Sequence, residues 1–350
     1  MKPYLSILMF LALTAANGVQ GSDGSASRQS PWLLAPVLSS NPKLGTSAGA
    51  LGAYVHQFAP EAPPSMFGAM AQYSTTDSYT YGLFARAYLG EDRHRVLGFV
   101  GGGKANNDYQ DFLGSGREVS VTDDITLGYA AWLYRVSDHW YLGGQGLVND
   151  YAMLGSNEFI NIGLGLLGLD GFSSNALGLK AEYDSRDNTE APNRGIFFTA
   201  GNLAYREALG GEESFDVYNA SYAQYFAHGA GSVLATHAEL RLTDDAPPSG
   251  YSSIRMRGYV QGEFRDTHSA LVEMEERYFL AERWRLAAFA GVTCLLDSFG
   301  DCGDTSNLYA AAGLGVHFVL RPREQMTIRL DFARGEGGSQ GLYMAFGQAF

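Results

Sequence analysis

Few residues in this chain have the types and spacing of a reactive site. The seven histidines show no paired spacing suited to zinc, and His237 and His317 lie in alternating segments where they read as polar wall residues. No serine, histidine and carboxylate grouping is spaced as in a hydrolase. Such groupings assemble in space, so a phospholipase-type enzyme stays open as an alternative. Gly98-Phe99-Val100-Gly101-Gly102-Gly103-Lys104 fits most of a phosphate-binding loop. Ala105 stands where the magnesium-binding hydroxyl is needed, and no helical pattern follows, so the glycines read as a bend in a wall. No catalytic residue, cofactor or metal ligand is assigned.

What remains is charge. Glu273, Glu275 and Arg277 alternate, so they share one face of an extended segment. A ladder of ion pairs is the simplest account of them, ahead of a charged constriction. Just upstream, Ser253-Ile254-Arg255-Met256-Arg257-Gly258-Tyr259 lies within a long connection, Thr243–Thr267. Arg257 is expected to fold back with this loop into the lumen of a barrel. A guanidinium enclosed there is costly unless it is paired and hydrogen-bonded, and Asp297 is the expected wall carboxylate. Gly258 lets the backbone turn tightly, and Tyr259 supplies an aromatic body with a polar tip.

Such a lumen needs a wall, and the composition suits one. Hydrophobic residues make up 46% of the chain, yet mean hydropathy is only -0.11. After residue 21 no apolar run reaches the roughly 20 residues of a spanning helix. The apolar content is dispersed, as when every second residue faces lipid. Forty-four glycines, 21 tyrosines and 20 phenylalanines against 24 lysines and arginines fit aromatic girdles and bends. A net charge of -13 argues against nucleic acid as a partner. Lys2, the apolar Tyr4 to Leu13 and small residues up to Gly21 form a secretory signal over 1–21. Residues 22–44, rich in Ser, Gly and Pro, read as a flexible periplasmic tail, and 45–350 as the barrel.

Alternation opens at Gly49 to His56 and runs through about sixteen segments, an even number as closed bacterial barrels have. One of them is Ile160 to Leu169, and the last is Leu342 to Phe350. In Met326 to Phe332, Thr327, Arg329 and Asp331 oppose Met326, Ile328, Leu330 and Phe332. In Val233 to Leu242, His237, Glu239 and Arg241 share one face. A soluble sandwich turns such charges outward; a membrane barrel turns them into its lumen. Periodicity alone does not choose. The signal segment, the strand count and the terminal aromatic favour an all-β, transmembrane antiparallel barrel with a lumen-inserted loop. Outer-membrane lipids would surround it.

Leu342, Met344, Phe346 and Phe350 share one face of the last strand. A terminal aromatic on such a strand is the form that the outer-membrane assembly machinery reads, so Phe350 is the expected assembly signal. The barrel seam would join Gly49–His56 to Leu342–Phe350, weakened by Gly347. Cys294 and Cys302 are the only cysteines. In an oxidising envelope they can bridge the Ser298–Asp301 loop. If Asp297 points inward, strict alternation points Cys294 to lipid, which opposes the bridge; the two readings stand level.

Two stretches resemble the barrel half of the BamA/TamA-like superfamily, the bacterial surface antigen family. Asp184-Ser185-Arg186-Asp187-Asn188 followed by Pro192-Asn193-Arg194-Gly195 is similar to its periplasmic turn. Ile254-Arg255-Met256-Arg257-Gly258-Tyr259 is similar to its Val/Ile-Arg-Gly-Phe/Tyr lumen loop. Glu275-Glu276-Arg277 and then Leu295-Leu296-Asp297 follow in the family's order, with Leu295 where the family has Phe in its Phe-x-Asp motif. The resemblance covers residues 174 to 350; the first half matches in strand pattern only. It implies a transport- or insertion-related barrel with Arg257 held by Asp297 and a seam that opens as a lateral gate. Members that insert or secrete proteins carry periplasmic POTRA modules, and 22–44 is too short to hold one, so a barrel-only member is implied. A general diffusion porin and a structural or adhesive surface barrel remain as alternatives. The transported substrate is not legible.

Overall fold

The computed structural model describes residues 30–41, 45–109, 119–166, 171–322 and 325–348. The signal segment at 1–21, the early part of the 22–44 tail and Phe350 lie outside the described residues. Within them the chain folds as β1 (Trp32–Asn41), β2 (Gly45–His56), β3 (Ser65–Ser74), β4 (Tyr79–Leu89), β5 (His94–Tyr109), β6 (Val119–Ser137) and β7 (Trp140–Gly155). A short helix α1 (Glu158–Leu166) precedes β8 (Gly171–Asp184), β9 (Gly195–Tyr205), β10 (Phe215–His228) and β11 (Ser232–Asp244). Two-residue strands β12 (Ser252–Ser253) and β13 (Arg265–Asp266) lie in the next connection. Then come β14 (His268–Ala281), β15 (Trp284–Leu296), β16 (Leu308–Arg321), β17 (Met326–Gly335) and β18 (Gln340–Phe346).

Sixteen of these strands form one antiparallel closed barrel in which sequence neighbours pair, β11 pairs with β14, and β18 meets β1. The strands β12 and β13 pair only with each other. The barrel therefore has a loop end, carrying the β11–β14 connection and α1, and a turn end, where β8 joins β9 and β18 ends.

The two faces of the wall decide what kind of barrel this is. Leu83, Leu179 and Leu314 are 60%, 72% and 68% exposed on the outside, while Glu275, Arg277, His317 and Asp331 are at most 1% exposed inside. Charge faces in and apolar side chains face out, as a lipid-embedded wall requires. No described helix is long and apolar enough to cross a membrane.

Three expectations are corrected here. The segment 22–44 is not all tail: its later part is the strand β1, paired with β2 over ten register positions from Trp32↔Tyr54 to Asn41↔Gly45. Pro36 and the Ser39-Ser40 pair hid it. The proline is tolerated because β1 has no ladder with β18 at that level. The segment expected as a strand over Ile160 to Leu169 is helical in its described part, because α1 occupies Glu158–Leu166. Its apolar residues alternate, but the Asn157 carboxamide accepts the Ile160 amide at 3.0 Å and Glu158 lies in the first turn. A capped helix start outweighs a short alternating run. One strand missed and one strand too many left the expected number unchanged. The seam consequently lies between β1 and β18, not at Gly49–His56. Among the described residues it holds two register pairs, Ser39↔Tyr343 and Ser40↔Leu342.

Candidate functional site

The β11–β14 connection runs into the lumen at the loop end. Ile254, Met256 and Tyr259 are buried there against Leu271, Leu295 and Ala311 of the wall. Small wall residues make room. A Cβ on Gly291 would lie 2.8 Å from the Met256 sulfur, and one on Gly335 would lie 2.7 Å from the Tyr259 ring. Val260 packs with Val121, Met153 and Leu164, so α1 and the inner wall close over the loop from the other side.

Arg257 lies at the centre. Its guanidinium donates to Glu273, to Glu275 at 2.9 Å and to Asp331 at 2.7 Å, and it lies over the Phe289 ring at 3.5 Å. The side chain is 13% exposed and its three carboxylates 7%, 0% and 1%. Strict alternation on β14 puts Glu273 and Glu275 on the same inner face as Arg277, which donates to Glu275 at 2.8 Å. Asp331 also meets His317 at 3.1 Å and Arg329 at 3.7 Å. Gly258 takes a φ of +103°, and a Cβ there would lie 3.0 Å from the Gly335 nitrogen. Its amide donates to the Tyr343 hydroxyl at 3.0 Å. The Tyr259 hydroxyl donates to the Ala310 carbonyl at 2.7 Å and accepts the Glu336 amide at 3.0 Å. The loop is thereby bound to β14, β15, β16, β17 and β18.

Asp297 is not the partner of Arg257. It follows the last residue of β15, is exposed, and accepts the Thr267 hydroxyl at 3.0 Å, bracing the exit of the loop instead. Alternation ends with the strand, so nothing aims this carboxylate inward. Nor does its direction fix that of Cys294, and Cys294 and Cys302 form a disulfide. The turn between them is tied by Asp301, which accepts the Ser298 and Asp297 amides at 2.7 and 3.1 Å. These amides, that of Ser298 foremost, hold its carboxyl below the ordinary range.

The turn end carries a second cluster. Asp184, the last residue of β8, accepts from Arg95 at 2.7 Å and from Arg186 at 2.8 and 2.9 Å. Arg95, on β5, also binds Glu182 and Asp92, so its guanidinium reaches past β6 and β7 to β8. Asp187 accepts the Asn193 and Arg194 amides at 2.9 and 3.2 Å and closes the turn. Gly195 begins β9 with a φ of +104°. Arg186 lies 3.8 Å over the Phe197 ring. The buried Glu190 pairs with Arg86 of β4, and its carbonyl accepts the Gln348 amide at 3.1 Å, while Arg277 donates to the Gln348 side chain at 3.0 Å. Beyond β18 the chain therefore turns inward, Gly347 having a φ of +83°.

Sequence reasoning missed Phe289, Tyr343, Asp92, Arg95, Glu190 and Gln348. Asp331 was also missed as a partner of Arg257, although its place on the charged face of β17 was a usable signal. Among the described residues no cluster of His, Cys, Asp and Glu is arranged to hold a metal.

No protein-family model matches the sequence, and no curated protein does either. The fold, by contrast, is shared with solved barrels. BamA of Haemophilus ducreyi lacking POTRA domains 1–3 superposes with a TM-score of 0.55 at 13% identity, over 91% of this chain and 70% of that one. CdiB of Acinetobacter baumannii gives 0.56 at 12% identity, over 89% and 59%. CdiB of Escherichia coli gives 0.58 at 10% identity, over 93% and 64%. This chain thus spans about 60 to 70% of their lengths. It has the sixteen-stranded fold of the BamA and CdiB barrels, the one that the turn and loop motifs imply.

Proposed function

We propose that this protein is an outer-membrane barrel of the BamA/TamA-like type that works as a plugged channel in transport or insertion. The observation that carries this reading is a loop between two wall strands that lies inside the lumen and is held there by one arginine bound to three carboxylates. Buried rather than lining a wet bore, the cluster fastens the loop within the lumen, as a plug requires. The narrow pairing of β1 with β18 supports a seam that opens while the rest of the wall stays closed. Three arginines inside the turn end, Arg86, Arg95 and Arg186, brace the opposite mouth through Glu190, Glu182 and Asp184. The outer-membrane assembly machinery would be the partner in biogenesis. Planar-bilayer recording tests the plug. The intact protein should give small, flickering conductance, and deletion of Ile254–Tyr259 should raise it and make it steady. A large, steady conductance from the intact protein sinks the reading and favours a diffusion porin.

A further inference from the structure

The lumen is not filled evenly. The loop packs against β14 to β18, whereas a chamber of about 490 Å³ opens at the turn end beneath β3 to β9. That volume is in the range of small-molecule sites. Its lining mixes two chemistries. Met66, Leu97, Leu133 and Phe346 are apolar, and Arg86 lies between Met66 and Leu97 on the same face of the wall. Leu97 is 38% exposed although it alternates with outward residues on β5, so its side chain faces the open lumen. Arg86, Lys180 and Gln348 supply polar lining.

The charges of this chamber are unequally used. Its two carboxylates are engaged, Glu190 by Arg86 and Glu182 by Arg95. Arg95 and Arg186 are further bound to Asp184. Lys180 has no carboxylate partner among the described residues. Arg86 spends one nitrogen on Glu190, while its Nε is buried with no hydrogen-bond partner. A buried donor of that kind is normally satisfied. Lys180 and the partly exposed Arg86 guanidinium thus face a chamber that also offers hydrocarbon beside them. Phe346 and Gln348, which line it, belong to the end of the chain that turns inward at the seam.

We propose that the turn-end chamber binds a single-chain anionic amphiphile, a phosphate monoester or carboxylate head on an alkyl tail. The head lies on Lys180 and the part of the Arg86 guanidinium that Glu190 leaves exposed, and the tail lies along Leu97, Leu133, Met66 and Phe346. Neither group alone explains the chamber: a free anion leaves the apolar lining wet, and an uncharged chain leaves the donors unmet. The site neither needs nor implies the lumen plug, so its failure leaves the channel reading untouched.

The test uses the full chain in a neutral detergent, with dodecyl phosphate, dodecanol and inorganic phosphate as probes and native mass spectrometry as readout. One dodecyl phosphate per barrel should bind saturably, with both other probes about tenfold weaker or more, the size of one charge-assisted hydrogen bond. Lys180→Gln should weaken dodecyl phosphate by about tenfold, and Leu97→Trp, which fills the space along the apolar lining, should abolish it. Heat-modifiable gel migration checks that each variant is folded. If Lys180→Gln does not fold, Leu97→Trp alone decides: loss of the adduct supports the site and an unchanged adduct overturns it. Equal binding of inorganic phosphate would mean a free-anion site. Equal binding of dodecanol would mean unspecific apolar uptake. Either result, or no adduct with the folded parent, overturns the proposal.

Discussion

Arg257→Ala is the most informative single perturbation of this barrel. The substitution removes a guanidinium that is 13% exposed and leaves Glu273, Glu275 and Asp331 facing each other in the lumen. Arg277, Arg329 and His317 remain beside them but are already directed at Glu275 or Asp331. Removing one partner from a buried ion pair costs about 3–5 kcal/mol. Loss of the stack on Phe289 adds about 1 kcal/mol. The three pairs share one cation, so their costs do not sum; a total of about 4 kcal/mol is expected. For a wall of this size that lowers the melting midpoint by roughly 8 °C, taking about 2 °C per kcal/mol. Barrel unfolding is commonly irreversible, so parent and variants must share one scan rate. The readout is heat-modifiable migration on semi-native gels. Arg257→Lys, which keeps charge but loses the planar fork, should fall between the two. Asp297→Ala is the contrast: an exposed carboxylate with one hydroxyl neighbour should change stability by no more than about 0.5 kcal/mol. If Arg257→Ala melts with the parent, or Asp297→Ala costs as much, the reasoning fails.

Other substitutions test the surroundings. Gly258→Ala should destabilise by about 1–3 kcal/mol, because alanine is strained at a φ of +103°; unchanged melting would place this residue in ordinary backbone. Gly335→Val should displace the Tyr259 ring and raise conductance in planar bilayers, since a Cβ there meets the ring at 2.7 Å. Cys302→Ser should cost about 2–3 kcal/mol through the lost constraint on a sequence separation of eight. Thiol titration of the denatured parent should find no free thiol without reductant and two with it. Ser40→Cys with Leu342→Cys, a register pair of the seam, should cross-link under oxidation and close the barrel; failure to cross-link would mean that β1 and β18 do not meet there.

Much of the wall was legible because a lipid-facing strand must alternate. Glu273, Glu275 and Arg277 fall on one face by position alone, and the structure places all three inside. Where alternation and another local signal compete, sequence reading breaks. Residues 160–166 alternate as a strand does, yet the Asn157 cap makes them a helix. Residues 32–41 carry a proline and paired serines, and only their partner strand makes them a wall. The arginine of the lumen loop was recognisable from the cost of burying it, but its partners were not. Three inward acids and one acid beyond a strand end were all candidates, and choosing among them needs the curvature that brings β14 and β17 to the same guanidinium. Contacts between elements far apart in sequence, such as Arg95 with Glu182 and Arg86 with Glu190, leave no mark in local spacing at all.

The central claim is that the β11–β14 loop lies inside the wall, and one cross-link tests it directly. Met256→Cys with Leu271→Cys places two thiols in one buried cluster that the loop forms with the wall. A short bifunctional thiol reagent should join them in the folded barrel, seen as a linked peptide by mass spectrometry, with Met256→Cys alone unreactive to a membrane-impermeant maleimide. No linked peptide, together with rapid labelling of Met256→Cys from the aqueous side, would put the loop outside the lumen and contradict the account.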